Sequence, residues 1–265
     1  MSAPPPKLLR DRAHRVAMEA ADAVRTAREA GIGAISTKSS ATDPVTAIDR
    51  TTETLIVERL LDEGPEDAIV GEELAGRTGT SGVCWVIDPI DGTVNFIYGI
   101  AAYGVSIGAE VDGELVAAAV VDIVSGDAYR AAAGRGAEGP TGPLSVSKVA
   151  DPALALVGTG FGYEPTRRRR QAAVLTHVLP AVRDIRRIGS AALDLCAVAA
   201  GRLDGFFELG LQPWDMAAGA VLVREAGGVL LELPAHEHDV AMTVAAGPDL
   251  IEPLVELLRE AGAVQ

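Results

Sequence analysis

Val83-Cys84-Trp85-Val86-Ile87-Asp88-Pro89-Ile90-Asp91-Gly92-Thr93 decides how the rest of the chain is read. Val83 to Ile87 is a continuous apolar run of β-branched and aromatic residues, the pattern of a strand covered on both faces. It ends in two carboxylates, a glycine and a hydroxyl. Pro89 is expected to stop ladder pairing, so that Asp88 and Asp91 turn toward one point from a tight bend. Gly92 permits close backbone approach, and the amides of Gly92 and Thr93 are placed to open a short helix whose N-terminus holds an anion. Asp, Pro and Gly are also common turn formers, and on these residues alone a plain strand-ending turn is an equal reading.

Two further acids in similar contexts shift the balance toward a site: Glu72 after Ala68-Ile69-Val70-Gly71, and Asp215 in Gln212-Pro213-Trp214-Asp215-Met216. Hard oxygen donors at strand ends and a helix start suit magnesium, which takes carboxylates, water and phosphate oxygens.

A chain of 265 residues that is 48% hydrophobic can bury the core of one large domain or two intimate halves. A net charge of −14 and a pI near 4.7 do not indicate a nucleic-acid-binding face. Cys84 and Cys196 lie in apolar contexts without metal-ligand spacing and read as reduced core thiols. No signal-peptide pattern is visible near Met1, and no apolar run reaches the roughly 18 residues of a membrane span. A cytoplasmic protein with neither nucleic acid nor membrane as a partner is the expectation.

Leu9, Ala13, Val16, Ala17, Ala20, Val24 and Ala27 recur at helical spacing, and Gly31 ends the stretch. Ile32 to Thr42 is small and polar, with Lys38 its only base. Asp43-Pro44 offers a cap and a first-turn proline for a second helix to about Leu61, with Ile48, Leu55, Ile56 and Leu60 inward. Asp49 in its early turns reads as an acid favoured by the helix dipole. Ala68 to Val70 is a strand; Tyr103 to Glu110 and Leu115 to Ile123 form a hairpin around Asp112-Gly113, extended by Asp127 to Ala132. Gly134 to Pro143 reads as a loop between halves.

In the second half, Ala155 to Phe161, Asp184 to Ile188, Phe206 to Leu209, Val229 to Leu233 and Met242 to Ala246 are expected strands. Ser190 caps a helix from Ala191 to about Ala200, Pro213 starts another, and Leu250 to Leu258 is the last. Arg167 to Arg170 reads as a solvated helix face. His236 and His238 read as surface residues. Helix and strand blocks with an antiparallel hairpin make this an α/β (α+β) chain of layered helices and mixed or antiparallel sheets.

Gly71-Glu72-Glu73, then Trp85 to Phe96, then Trp214-Asp215-Met216-Ala217-Ala218-Gly219 with Glu225-Ala226-Gly227-Gly228, resemble the signatures of the inositol monophosphatase family. Lys38 to Thr46 and Arg187-Ile188-Gly189-Ser190-Ala191-Ala192-Leu193-Asp194-Leu195 bring it nearest to that family's bacterial SuhB-type inositol-1-monophosphatases. Gly134 to Pro143 departs from the family, lacking its aromatic and Cys-Asn-Gly turn.

The resemblance implies a five-layered αβαβα sandwich of the inositol monophosphatase and fructose-1,6-bisphosphatase type, a single domain over 1-265 with halves of about 7-143 and 144-265. It implies hydrolysis of myo-inositol 1-phosphate and related polyol monophosphates with two or three Mg2+ per site, lithium sensitivity and a homodimer. Glu72, Asp88, Asp91, Asp215 and the Ile90 carbonyl are the implied metal ligands, Gly92 and Thr93 the phosphate contacts. Glu72, Thr93 and Asp49 are the implied catalytic residues, with Asp49 orienting Thr93. Asp91, Ala191, Glu208 and Asp215 are the implied substrate contacts; Glu73 supports the ligands from behind, and Lys38 lies near the catalytic loop. Sibling phosphatases acting on histidinol phosphate, fructose 1,6-bisphosphate or 3′-phosphoadenosine 5′-phosphate, and a regulatory binding protein on the same fold, are the alternatives.

Overall fold

Leu9, Ala13, Val16, Ala17, Ala20 and Val24 form one fully buried stripe along α1 (Pro6–Ala30) in a computed structural model, which describes residues 3–32, 35–37, 44–235 and 241–264. Gly31 ends the helix at φ 110°. The alanines let α1 lie close against a seven-stranded sheet, and Arg12 fixes it there. Its guanidinium meets the buried Asp67 carboxylate at 3.2 Å, and Trp85 Nε1 donates to the same oxygen at 2.9 Å.

After β1 (Ile35–Thr37) and β2 (Pro44–Thr46), an antiparallel pair, comes α2 (Ala47–Glu63). The expected cap moves here: Asp43 lies outside the described residues, Pro44 is in β2, and Thr46 caps the helix. Thr46 Oγ1 accepts from Ile48 N at 3.1 Å while the Asp49 carboxylate accepts from Thr46 N at 2.9 Å, a reciprocal box that satisfies the first helical amides better than Asp-Pro three residues earlier. Ile48, Ile56 and Leu60 are buried, whereas Leu55 is half-buried. Lys38, His236 and His238 also lie outside the described residues.

The large sheet orders β3 (Ala68–Gly71), β4 (Val83–Asp91), β5 (Gly104–Val111), β6 (Glu114–Asp122), β7 (Ala128–Ala132), β8 (Ala137–Gly139) and β9 (Gly142–Pro143), with α3 (Thr93–Tyr98) after β4. Only β3 and β4 are parallel. Asp112 (φ 52°) and Gly113 (φ 86°) make the two-residue hairpin between β5 and β6. Pro89 does not end β4. The strand runs to Asp91 and its register with β5 shifts between Asp88 and Asp91, so the missing N–H falls in a bulge. Gly134 to Pro143 is likewise not only a loop. Glycines at positive φ turn the chain sharply enough for β8 and β9 to extend the sheet, and strands this short carry no alternation to read.

The smaller sheet orders β11 (Asp184–Arg186), β10 (Leu156–Thr159), β12 (Gly205–Leu209), β14 (Ala241–Ala246) and β13 (Val229–Pro234), with β10 parallel to both neighbours and the rest antiparallel. Between the sheets lie α5 (Ala191–Ala199) and α6 (Pro213–Glu225), whose Leu195, Cys196 and Leu222 share one core with Val120 of β6 and Phe206 of β12. The outer face of the smaller sheet is covered by α4 (Pro165–Val178) and α7 (Ile251–Glu260). The layers run helices, sheet, helices, sheet, helices, the expected αβαβα sandwich. Among the described residues no helix is long and apolar enough to cross a membrane.

Candidate active site

The carboxyl ends of β3 and β4 and the N-termini of α3, α5 and α6 surround a cavity of about 450 Å³. Glu72, Asp88, Ile90, Asp91, Gly92, Thr93, Ala191, Glu208 and Asp215 all line it. Asp88 is 2% exposed and its Oδ1 accepts from Ile90 N at 3.0 Å. Burial pushes its carboxyl well above the usual range, and the neighbouring charges of Glu72, Asp91 and Asp215 and a hydrogen bond with Glu72 push the same way. Asp91 Oδ2 accepts from Ser190 Oγ at 2.6 Å and Ala192 N at 2.7 Å, which ties the end of β4 to the start of α5. Burial raises Asp91 too, opposed by those hydrogen bonds and by Arg187. Asp215, in the first turn of α6, accepts from Gln212 N at 2.7 Å and is raised by burial and by Asp91.

These donors fit a hard divalent cation in kind and in charge. Buried carboxyls that raise one another's proton affinity, two of them hydrogen-bonded together, are a set in which a cation can take the place of protons. Among the described residues no three acidic, imidazole or thiol groups form a ready-made ion cluster. Asp91 and Asp215 each have an oxygen committed to a helix start, which fixes the direction of the carboxyl at the cavity.

Gly92 caps α3 at φ 93°, and a Cβ there would lie 2.9 Å from Ala102 O and 3.1 Å from Gly189 O. Only glycine lets the chain turn at that point. Thr93 Oγ1 lies 3.1 Å from Ile90 O and 3.3 Å from Asp49 Oδ1. One hydroxyl proton faces two acceptors, so the Thr93 oxygen keeps its lone pairs toward the cavity. Asp49, fully buried, thus both caps α2 and reaches Thr93.

Across the cavity, Glu208 at the end of β12 is raised to about 7 by burial and Asp91, and Arg187 and Arg167 oppose the shift. Arg167 corrects the expectation of a solvated run. Arg168, Arg169 and Arg170 are exposed, but Arg167 is half-buried and lines the cavity, because the helical period turns one of four consecutive residues inward.

Sequence reasoning missed Glu53, Asp194, Arg167 and Arg187 as parts of this site. Glu53 accepts from Glu73 N at 2.7 Å and Leu74 N at 3.0 Å, holding the turn that carries Glu72. A signal existed: Asp49 and Glu53 stand four apart, two acids on the buried face of α2.

A profile of the inositol monophosphatase family matches residues 7–262. The chain is 48% identical to the inositol-1-monophosphatase SuhB of Mycobacterium tuberculosis over 96% of this chain and 94% of that one. It is 37% identical to the Nus factor SuhB of Pasteurella multocida, over 84% and 85%. The solved structure of Mycobacterium tuberculosis SuhB superposes with a TM-score of 0.85 at 46% identity, covering 98% of this chain and 99% of that one. The chain belongs to the inositol monophosphatase family.

Proposed function

We propose that the chain is a magnesium-dependent phosphate monoester hydrolase that converts myo-inositol 1-phosphate and related polyol monophosphates to the polyol and phosphate, as one domain over 1-265. The observation that carries this is a single cavity in which Glu72, Asp88, Asp91 and Asp215 face the Gly92-Thr93 turn. Phosphatase activity is the family's chemistry, and the mycobacterial relative bears the inositol-1-monophosphatase name.

Glu72, Asp88, Asp91, Asp215 and the Ile90 carbonyl would hold the ions. Magnesium, when bound, supplies charge neutralisation for the phosphate and leaving alkoxide and lowers the pKa of water. The protein's own groups do the rest. The amides of Gly92 and Thr93 orient the phosphate. Thr93 Oγ1, with its proton engaged by Asp49 or Ile90 O, accepts from the attacking water and aims it. Glu72, hydrogen-bonded to Asp88, helps to position the attacking water. Ala191 and Glu208 meet the polyol, Asp91 and Asp215 its ester end. Water attacks phosphorus directly, with no phosphoenzyme.

The testing experiment is phosphate release from myo-inositol 1-phosphate, histidinol phosphate, fructose 1,6-bisphosphate and 3′-phosphoadenosine 5′-phosphate at equal concentration with magnesium. The inositol ester is expected to have the highest kcat/KM, lithium to inhibit, and the protein to elute as a homodimer. A preference for any sibling substrate sinks the polyol assignment. The Nus-factor name of the Pasteurella relative favours a second reading, protein binding on the same fold. Pull-down with transcription factors tests it.

A further inference from the structure

Gly158 and Gly160 stand two apart at the end of β10, and each is covered by a carboxyl. A Cβ on Gly158 would lie 2.8 Å from Asp194 Oδ1, and one on Gly160 would overlap the Glu208 carboxyl. Gly160, just past the end of β10, lines the cavity and leaves room for Glu208, while Gly158 lies behind it, where Asp194 Oδ1 and Leu203 Cδ1 close over the backbone. Asp194 and Glu208 both line the cavity, and the charge of Glu208 acts on Asp194.

Asp194 is 1% exposed, and its Oδ1 is buried without a hydrogen-bond partner. A buried oxygen left unpaired costs about 1–3 kcal/mol. A helix-capping role does not explain it, because the start of α5 is already satisfied: Ala192 N donates to Asp91, Leu193 N to Ser190 Oγ and the Asp194 amide itself to Ser190 O. Burial, with Glu208 and Asp91, raises Asp194 to about 8 against the pull of Arg187. Its carboxyl is thus a polar group with hydrogen-bonding capacity to spare, lining the cavity beside the Glu208 carboxyl.

We propose that Asp194 is a further specificity-determining residue, which with Glu208 hydrogen-bonds neighbouring hydroxyls of the substrate and so selects esters of vicinal polyols over esters of hydroxyl-free alcohols. The inference rests on the polyol-phosphate reading above. Asp194 hydrogen-bonds one substrate hydroxyl and Glu208 the adjacent one, a pairing that an aryl ester does not meet.

The test compares Asp194→Asn, Asp194→Leu and Asp194→Ala with the wild type on myo-inositol 1-phosphate and p-nitrophenyl phosphate at saturating magnesium. Asparagine keeps a donor and an acceptor, so its kcat/KM ratio between the two substrates is expected to stay within about twofold of the wild type. Leucine and alanine are expected to lower that ratio about 3- to 10-fold, mainly through KM for the inositol ester. Alanine, which leaves space, decides the matter if leucine does not fold. Parallel losses on both substrates, or an asparagine variant as unselective as alanine, overturn the proposal alone. A wild type that hydrolyses the aryl ester but not the inositol ester overturns the polyol reading and this proposal with it.

Discussion

Glu53→Gln changes no cavity-lining residue and no volume, yet it is expected to impair both stability and metal use. The Glu53 carboxylate is fully buried and accepts from Glu73 N at 2.7 Å and Leu74 N at 3.0 Å. It also packs on Gly71 so closely that a Cβ there would overlap it, so the end of β3 and the turn carrying Glu72 are set against this one group. Glutamine keeps one acceptor oxygen and turns an amide NH2 toward the other N–H. At least one charge-assisted hydrogen bond is lost, about 1.5–3 kcal/mol. At about 2–4 °C per kcal/mol for a chain of this size, Tm is expected to fall by about 3–12 °C. Glu72 loses its support, and groups behind a metal ligand typically carry about 10- to 100-fold in metal affinity. The magnesium concentration for half-maximal phosphate release is expected to rise by a factor in that range. Thermal denaturation and a magnesium titration of activity read the two effects. A Glu53→Gln protein with unchanged Tm and an unchanged magnesium requirement refutes the role given to Glu53.

Asp91→Asn is expected to reduce turnover by about 100-fold or more, the upper end for groups around a metal, while keeping the fold; a folded, fully active variant removes Asp91 from the site. Gly160→Ala is expected to push the Glu208 carboxyl aside and so to act like Glu208→Ala, lowering kcat/KM for the inositol ester about 3- to 10-fold and sparing an aryl ester. Equal effects on both esters would count against Glu208 as a polyol contact. In EDTA, stability is expected to fall with rising pH, because Glu208 at about 7 and Asp194 at about 8 bind protons more tightly folded than unfolded. Their contribution is full below the ordinary carboxylate value near 4 and is lost as pH climbs through about 7 to 8. Magnesium is then expected to raise Tm more at pH 8 than at pH 6, since it replaces protons. A flat or rising Tm over that range in EDTA contradicts the shifts.

Features set by neighbouring residues were legible before the structure. The helical stripe from Leu9 to Val24, the Asp112-Gly113 hairpin and the Ser190 cap each depend on spacing of a few residues, and each stands where expected. The run from Val83 to Thr93 carried the site's position for the same reason. What escaped depends on pairs far apart in the chain. Asp91 reaches Ser190 99 residues away; the contact of Asp49 with Thr93, 44 residues apart, was implied by the family resemblance and not by any local pattern. The four-residue spacing of Asp49 and Glu53 marks two acids on one helix face, but it does not say that Glu53 will find the amide of Glu73, nor does any local pattern set Gly158 and Gly160 against Asp194 and Glu208. Capping chemistry misled once. Asp43-Pro44 is a good start signal, but Thr46 with Asp49 is a complete reciprocal box and prevails. Pro89 misled because a bulge gives a proline a place inside a pairing strand.

We propose that the carboxylates around the Gly92-Thr93 turn serve magnesium-dependent hydrolysis of a polyol phosphate. The most direct test is phosphate release from myo-inositol 1-phosphate by metal-stripped protein, titrated with magnesium. Release that is absent without metal and saturates with magnesium is the predicted result; no release by folded, magnesium-loaded protein would contradict it.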